Sequence, residues 1–352
     1  MSSASASQAL GSPPLAPPAE ALRRGRPRNS VGSWPLIDRA AYMLCWAVGI
    51  GLCVAAGAIV ALMLVKGIAY VRPNLLFTSP GVGATQATSG GFLDPIVGTL
   101  LLGGLGVLIA APLGVAVAVW LGEYGRPAPL ARAVESGIEM IAGAPSVVLA
   151  IFGLLMFSRP FLAFLSQTSA GGSVFGRSFF TAGAMMSLLA LPLIVGATRE
   201  GLAQVPGHVR EASYALGKAK ITTIRKVLLP SVRRNIAGGV TLGLGRIIGD
   251  TAIVVILLGA TLHLEGAGGA PGLSTLRGTG GTLTSYVKYF SPAGEGNQAE
   301  KAYAAAFVLL LMVIGLNALV TRITHERRGM FERMMAWSWL PFWNTRNEED
   351  VV

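Results

Sequence analysis

Arg246 and Asp250 stand four residues apart in the stretch GLGRIIGDTA, Gly243 to Ala252, within a run made mostly of Gly, Val, Ile and Leu. A charge in a segment that reads as lipid-embedded costs a few kcal/mol or more, so such residues are rare and usually tied to function. On a continuous helix, positions i and i+4 share one face. A guanidinium there offers planar, bidentate donors to an oxyanion. Asp250 could neutralise Arg246 while no substrate is present, so that no bare charge is left buried, or accept a hydroxyl proton of the anion. A plainer role fits the same pair: an intramembrane ion pair that locks helices together. Gly239, Gly243, Gly245 and Gly249 leave small surfaces that permit close helix packing, which would turn the charged face inward toward a cavity. Thr251, beside Asp250, and Ser146, in the stretch AGAPSVV, complete the candidate substrate path. Pro145 frees a backbone carbonyl and interrupts its helix, which is tolerated where the break lines protein or a cavity. A simple kink is the competing reading, as it is for Pro112 and Pro192.

These residues need spanning helices to hold them. A bilayer core of about 30 Å takes about 20 apolar residues. Six segments qualify, at about 41–66, 95–121, 137–158, 179–198, 236–262 and 302–321. The chain is 52% hydrophobic and 13% charged, with a mean hydropathy of +0.60. Soluble domains carry about a quarter charged residues, so the composition predicts an all-α, multi-pass integral membrane protein. The net charge of +11 comes from basic residues that flank apolar runs and form no single patch, which excludes nucleic-acid binding and points to membrane lipids as the surroundings. Basic residues alternate consistently onto one side: the N-terminal tail, the loop after the second segment, the loop between the fourth and fifth, and the tail after the sixth. Both termini are therefore expected in the cytoplasm.

Residues 1–35 form an N-terminal tail rich in Ser, Ala, Pro and Arg that cannot bury a core and is expected to be disordered. Residues 36–325 are the expected membrane domain, and 326–352 a cytoplasmic or interfacial tail, with MMAWSWLPFW as an anchor or a packed surface helix. In the long, glycine-dense loop 263–300, Tyr286, Val287, Tyr289 and Phe290 suit a membrane interface. Cys45 and Cys53, in one apolar run, are too far apart along a helix to bridge. His208, His263 and His325 are isolated, and no metal-ligand spacing occurs. No phosphate-cradling G-x-x-x-x-G-K-[ST] loop is present: ALGKAK has no hydroxyl residue after its Gly-Lys. Neither a G-x-S-x-G elbow nor an H-E-x-x-H helix appears.

The loop 199–235 carries the most specific pattern, REGLAQVPGHVREASYALGKAKITTIRKVLLPSVRRN. Pro206 and Gly207 break the preceding helix. A short helix fits His208–Leu216, with Gly217 as its stop. Lys220–Leu229 reads as a second amphipathic helix, with Ile221, Ile224, Val227 and Leu228 at helical spacing and Pro230 ending it. Two short surface helices result, and a short exposed helix of this kind can insert into a groove on a soluble partner.

EASYALG, nine residues, then VLLP resembles the EAA motif of ABC-importer permeases, through Glu211, Ala212, Ser213, Gly217, Leu229 and Pro230, with Arg210 just before. The resemblance implies the six-helix transmembrane bundle of the type I permease architecture, with the short helix as a coupling helix for a separate ATP-hydrolysing subunit. Several longer stretches, among them LDPIVGTLLLGGLGVLIAAPLGVAVAVWLGEYG and GLGRIIGDTA, look like the phosphate-transport permeases over a core of about 92–322. GDTAIVVILLG and SPAGEGNQAEKAYAAAF are closer to the PstA type than to the paralogous PstC type. In that family the fifth span usually carries R-x-x-G-E-T; here Asp250 replaces the Glu. The family implies a paralogous permease as pore partner, two ATPase subunits of PstB type that bind the ATP and Mg, and an extracytoplasmic phosphate-binding protein of PstS type. The chain itself would be no enzyme and hold no cofactor, and would sit in a bacterial cytoplasmic membrane. The alternatives are a gradient-driven channel or secondary transporter, or a permease for another oxyanion.

Overall fold

The computed structural model describes residues 35–339, apart from 69, 72–75, 80–90, 126, 167–174, 260–263, 265–272, 293 and 295–297, with side chains as far as residue 324 except at 273. The expected disordered tail and the residues beyond 339 lie outside these. Among the described residues every regular element is helical. The chain divides into two compact units, residues 1–61 and 62–352. Most of helix α1 (Leu36–Ile68) belongs to the first. Between its charged ends, over residues 40–65, its side chains are uncharged and apolar on every face, and Leu44, Leu52, Val54 and Ile59 are each more than half exposed, as suits a helix in lipid.

The second unit is built around three helices: α2 (Leu93–Val119), α5 (Phe179–Gln204) and α9 (Arg233–Gly249). Two shorter helices, α4 (Ser146–Phe157) and α10 (Ala252–Leu257), pack on each other and on α5. Their shared core holds Leu102 and Ala110 from α2, Phe179 to Ile194 from α5, Ala150 and Phe157 from α4, and Ile253 to Leu257 from α10. Small residues let α9 and α5 touch. A Cβ on Gly239 would lie 2.9 Å from Ala197 Cβ, and one on Gly243 3.2 Å from Ala190 Cβ. Gly245 and Gly249 face open space instead, so only half of the expected small-residue seam packs within this chain.

Among the described residues four helices are long and apolar enough to cross a membrane: Leu36–Ile68, Leu93–Tyr124, Phe179–Gln204 and Ala299–Thr324, the last within α13 (Ala299–Trp339). The third expected span is bent by 108° between α3 (Ala128–Gly143) and α4. Ala144 and Pro145 are both extended there, with ψ 133°. A residue before proline is pushed out of the helical region, and proline cannot donate to the turn behind it. Pro112 and Pro192, by contrast, ride inside α2 and α5, and only Pro145 marks a break. The fifth expected span is interrupted as well. Helix α9 stops at Gly249 and α10 begins at Ala252. Six uninterrupted spans are therefore not what the described helices form; the two exceptions are the segments that carry Ser146 and Asp250.

Short helices α11 (Leu273–Arg277) and α12 (Leu283–Phe290) lie in the segment expected at a membrane interface. Tyr286 is 1% exposed and stacks edge-on to Phe92 at 5.2 Å, with Leu283, Ala304 and Ala305 around it. It is a packing residue, not an interface ring, and burial pushes its phenol above the ordinary tyrosine range. Helix α12 packs on both α2 and α13.

Candidate coupling element and anion path

Helix α6 (Gly207–Ala215) occupies the expected short-helix position and ends through Leu216 at Gly217. Gly217 has φ +70°, a left-handed conformation that glycine adopts at no steric cost. The Gly217 N–H donates to Tyr214 O at 2.9 Å and Lys218 N–H to Ser213 O at 3.2 Å, closing the helix end. Glu211, Ala212 and Gly217 are exposed. Leu216 is 78% exposed, Ile221 62% and Tyr214 42%. Ile221 thus leaves the apolar stripe expected for its helix and joins an outward patch.

The other motif residues face inward. Ser213 is buried, and its hydroxyl meets that of Thr223 at 2.9 Å. Ile224, Leu228 and Val232 pack with Leu202, and Leu229 lies against them. The expected second helix is α7 (Lys220–Thr223), a π turn Ile224–Leu228 and one turn α8 (Leu229–Ser231). The Leu229 N–H reaches back five residues to Ile224 O. Pro230 does not end the helix where expected. It lacks the N–H that would reach four residues back and its ring crowds that carbonyl, so the preceding turn widens and the chain runs on into α9.

Arg210 turns away from solvent. Its Nε donates to Glu123 Oε1 at 3.1 Å, and its other nitrogens donate to Val205 O at 2.7 Å and Leu202 O at 2.9 Å. Those carbonyls close α5, so a cation sits at the negative end of that helix. Glu123 lies in a π turn, Trp120–Tyr124, that continues α2. Lys220 Nζ donates to the Glu123 backbone carbonyl and lies 4.4 Å over the Tyr124 ring. A cleft of about 480 Å³ opens beside this junction, lined in part by Glu123, Arg199, Glu200 and Arg210. Arg199 pairs with Glu135 at 2.5 Å, both partly exposed.

In the interrupted fifth segment the two charges part company. Asp250 is extended (φ −80°, ψ 129°) and 8% exposed. Its carboxylate accepts the Ile253 N–H at 3.0 Å, capping the first turn of α10. Arg246 is exposed on α9, and among the described residues no ion pair joins it to Asp250. The shared helix face expected from i, i+4 spacing requires a continuous helix, and α9 ends one residue before Asp250. Thr251 is half-buried in the interruption itself, and Ser146 is the half-buried first residue of α4.

Residues 110–326 match the family described as the inner membrane component of binding-protein-dependent transport systems. The chain belongs to this family. The permease is 31% identical over 242 residues to the phosphate transport system permease protein PstA 1 of Mycobacterium tuberculosis, covering 68% of this chain and 73% of that one. It is 27% identical over 254 residues to the PstC protein of Haemophilus influenzae, covering 68% and 78%. It is 33% identical over 187 residues to the PstC protein of Pasteurella multocida, covering 49% of this chain and 58% of the relative. Both types match at similar identity. Among solved structures the fold is similar to an inward-facing MetNI methionine ABC transporter (TM-score 0.51, 20% identity, 67% of this chain and 95% of that one). It is also similar to a bacterial ABC transporter involved in alginate import (TM-score 0.54, 15% identity, 82% and 97%). Both likenesses concern the type I importer fold of the permease.

Sequence reasoning missed Glu123 as part of this element, and placed Lys220 at the start of the second helix without its contact to the end of α2. Glu123 interrupts WLGEYG at the end of an apolar run, on the side where the loops are basic. An isolated carboxylate there was the available signal.

Proposed function

We propose that the permease is one of two membrane subunits of an ATP-driven importer for inorganic phosphate. The observation that carries this is the similarity over about two thirds of the chain to phosphate transport permeases, joined to an exposed helix α6 of the kind the EAA motif specifies. A paralogous permease completes the pore, and two ATPase subunits, holding ATP and Mg, dock at α6. An extracytoplasmic binding protein delivers phosphate. The outward patch of Tyr214, Leu216 and Ile221, with Glu211 beside it, suits insertion into a groove of the ATPase. The basic loops favour a cytoplasmic position for both termini. ATP-driven closure moves α6 and reorients the spans about the path.

Arg246 is the anion-binding residue of that path. Asp250 is committed to the α10 cap, so the arginine keeps its charge for a ligand. Thr251 and Ser146, at the two helix interruptions, supply hydroxyls.

The test is purification with the partner subunits, followed by ATPase measurement with phosphate, sulfate or molybdate and the binding protein. Phosphate-selective stimulation is expected. Stimulation by sulfate or molybdate alone would assign another oxyanion, and transport that persists without the ATPase would assign a gradient-driven carrier.

A further inference from the structure

We infer that Glu123 is a positioning residue that clamps the coupling helix to the ends of two spanning helices; this rests on the importer reading above. Three ties, made by two cations of the loop, meet at the Trp120–Tyr124 turn. The Glu123 side chain is 8% exposed and accepts from Arg210 of α6. Its backbone carbonyl accepts from Lys220 of α7. The same Lys220 lies over the Tyr124 ring. Arg210 also binds the last carbonyls of α5. The carboxylate therefore ties α6, and through Arg210 the end of α5, to the end of α2, while Lys220 ties α7 to the same turn through the backbone carbonyl and the Tyr124 ring.

The local backbone explains why the carboxylate arrives there. The turn is a π turn, closed by the Gly125 N–H donating to Trp120 O at 2.7 Å. An extra residue in the turn rotates Glu123 and Tyr124 away from the α2 register, and such bulges frequently sit at functional positions. Arg210 precedes the outward residues of α6, so the face offered to a partner and the face held by the clamp belong to one nine-residue helix. A push on α6 then moves the ends of α2 and α5 with it, and these two helices form the core around which α4, α9 and α10 pack. Without the clamp, α6 moves and the spans lag behind.

The experiment uses the assembled complex in proteoliposomes with Glu123→Gln, which keeps size and removes charge, and separately Lys220→Met, at an exposed position. Phosphate uptake per ATP hydrolysed is expected to fall about tenfold in Glu123→Gln, the effect of losing a charged hydrogen bond, and less in Lys220→Met. A second readout needs no transport: spin labels at Ala215 and Ala128, both exposed in the permease, should give one narrow distance in the parent complex and a broadened one in Glu123→Gln. An unchanged distance distribution in Glu123→Gln overturns the clamp. So does an unchanged uptake ratio. A broadened distance in a complex whose parent form moves no phosphate would uphold the clamp and refute the phosphate reading instead.

Discussion

Asp250→Ala and Asp250→Asn separate the two jobs an intramembrane carboxylate can have. The carboxylate is 8% exposed and accepts the Ile253 N–H at 3.0 Å. Alanine removes that acceptor and leaves a buried donor unpaired. Loss of a cap costs about 1 kcal/mol, and an unsatisfied buried donor costs about 1–3 kcal/mol. These overlap, since they concern the same N–H, so the net loss is about 2 kcal/mol. For a domain of this size that lowers the apparent Tm by on the order of 5 °C. Asparagine caps about as well as aspartate, so Asp250→Asn should melt within about 1 °C of the parent protein by the same reasoning. The assay is thermal unfolding of the detergent-solubilised permease, read by loss of the monodisperse peak, with uptake measured on the same preparations. An Asp250→Asn protein as destabilised as Asp250→Ala would refute the capping account. A stable Asp250→Asn protein without uptake would show that the negative charge itself serves transport.

Two further sites test the remaining roles. Arg246→Ala should leave melting unchanged, because the side chain is exposed on α9, while uptake falls at least about tenfold through loss of a charged donor to the anion. Exchanging the pair, Arg246→Asp with Asp250→Arg, should not restore uptake, since no ion pair is there to be re-formed; full restoration would establish a pair. Gly217→Ala should cost about 1–2 kcal/mol locally, the penalty of a Cβ in the left-handed region. Its expected readout is weaker co-purification with the ATPase subunits, with the spanning core unaffected in limited proteolysis. Normal co-purification would remove the turn from the docking surface.

The coupling helix was legible to within a residue at each end, because a Pro-Gly break and a stop glycine bracket it and both act through local backbone preference. The spans were legible as apolar runs, but their interruptions were not. Hydropathy records composition, and both Ala144–Pro145 and Asp250–Thr251 lie inside runs long enough to cross. Pro145 could not be told from Pro112 or Pro192, since proline inside an apolar helix is tolerated wherever neighbours satisfy the freed carbonyl. The spacing of Asp250 from Arg246 suggests a shared face only under a rule that presumes helix throughout. The capping preference of Asp250, with the hydrophobic run AIVVIL behind it, points the other way. Glu123 shows locally only as an isolated carboxylate at the end of an apolar run; its partner Arg210 is 87 residues distant, and nothing local names so long-range a pair.

The capping of α10 also bears on what the permease must meet beyond its own surface. Capping commits Asp250 to a backbone amide, and the nearby guanidinium keeps a full positive charge. Arg246 shares its stretch of α9 with Leu242, 60% exposed, and with Gly245 and Gly249, which face open space. An arginine facing hydrocarbon at mid-membrane costs at least about 2.5–3.5 kcal/mol. Lipid is therefore the wrong covering for this face. A second permease that closed it with apolar side chains alone would bury the charge unpaired, which costs more than leaving it wet. The covering that costs least is a partner whose matching face leaves a water-filled seam along Arg246. In the proposed importer such a seam would have a fixed positive charge at its wall, which favours entry of an anion and disfavours a cation. In the proposed importer, the interruption that removes Asp250 from the helix face leaves the charge that would set the sign of what the assembled path admits.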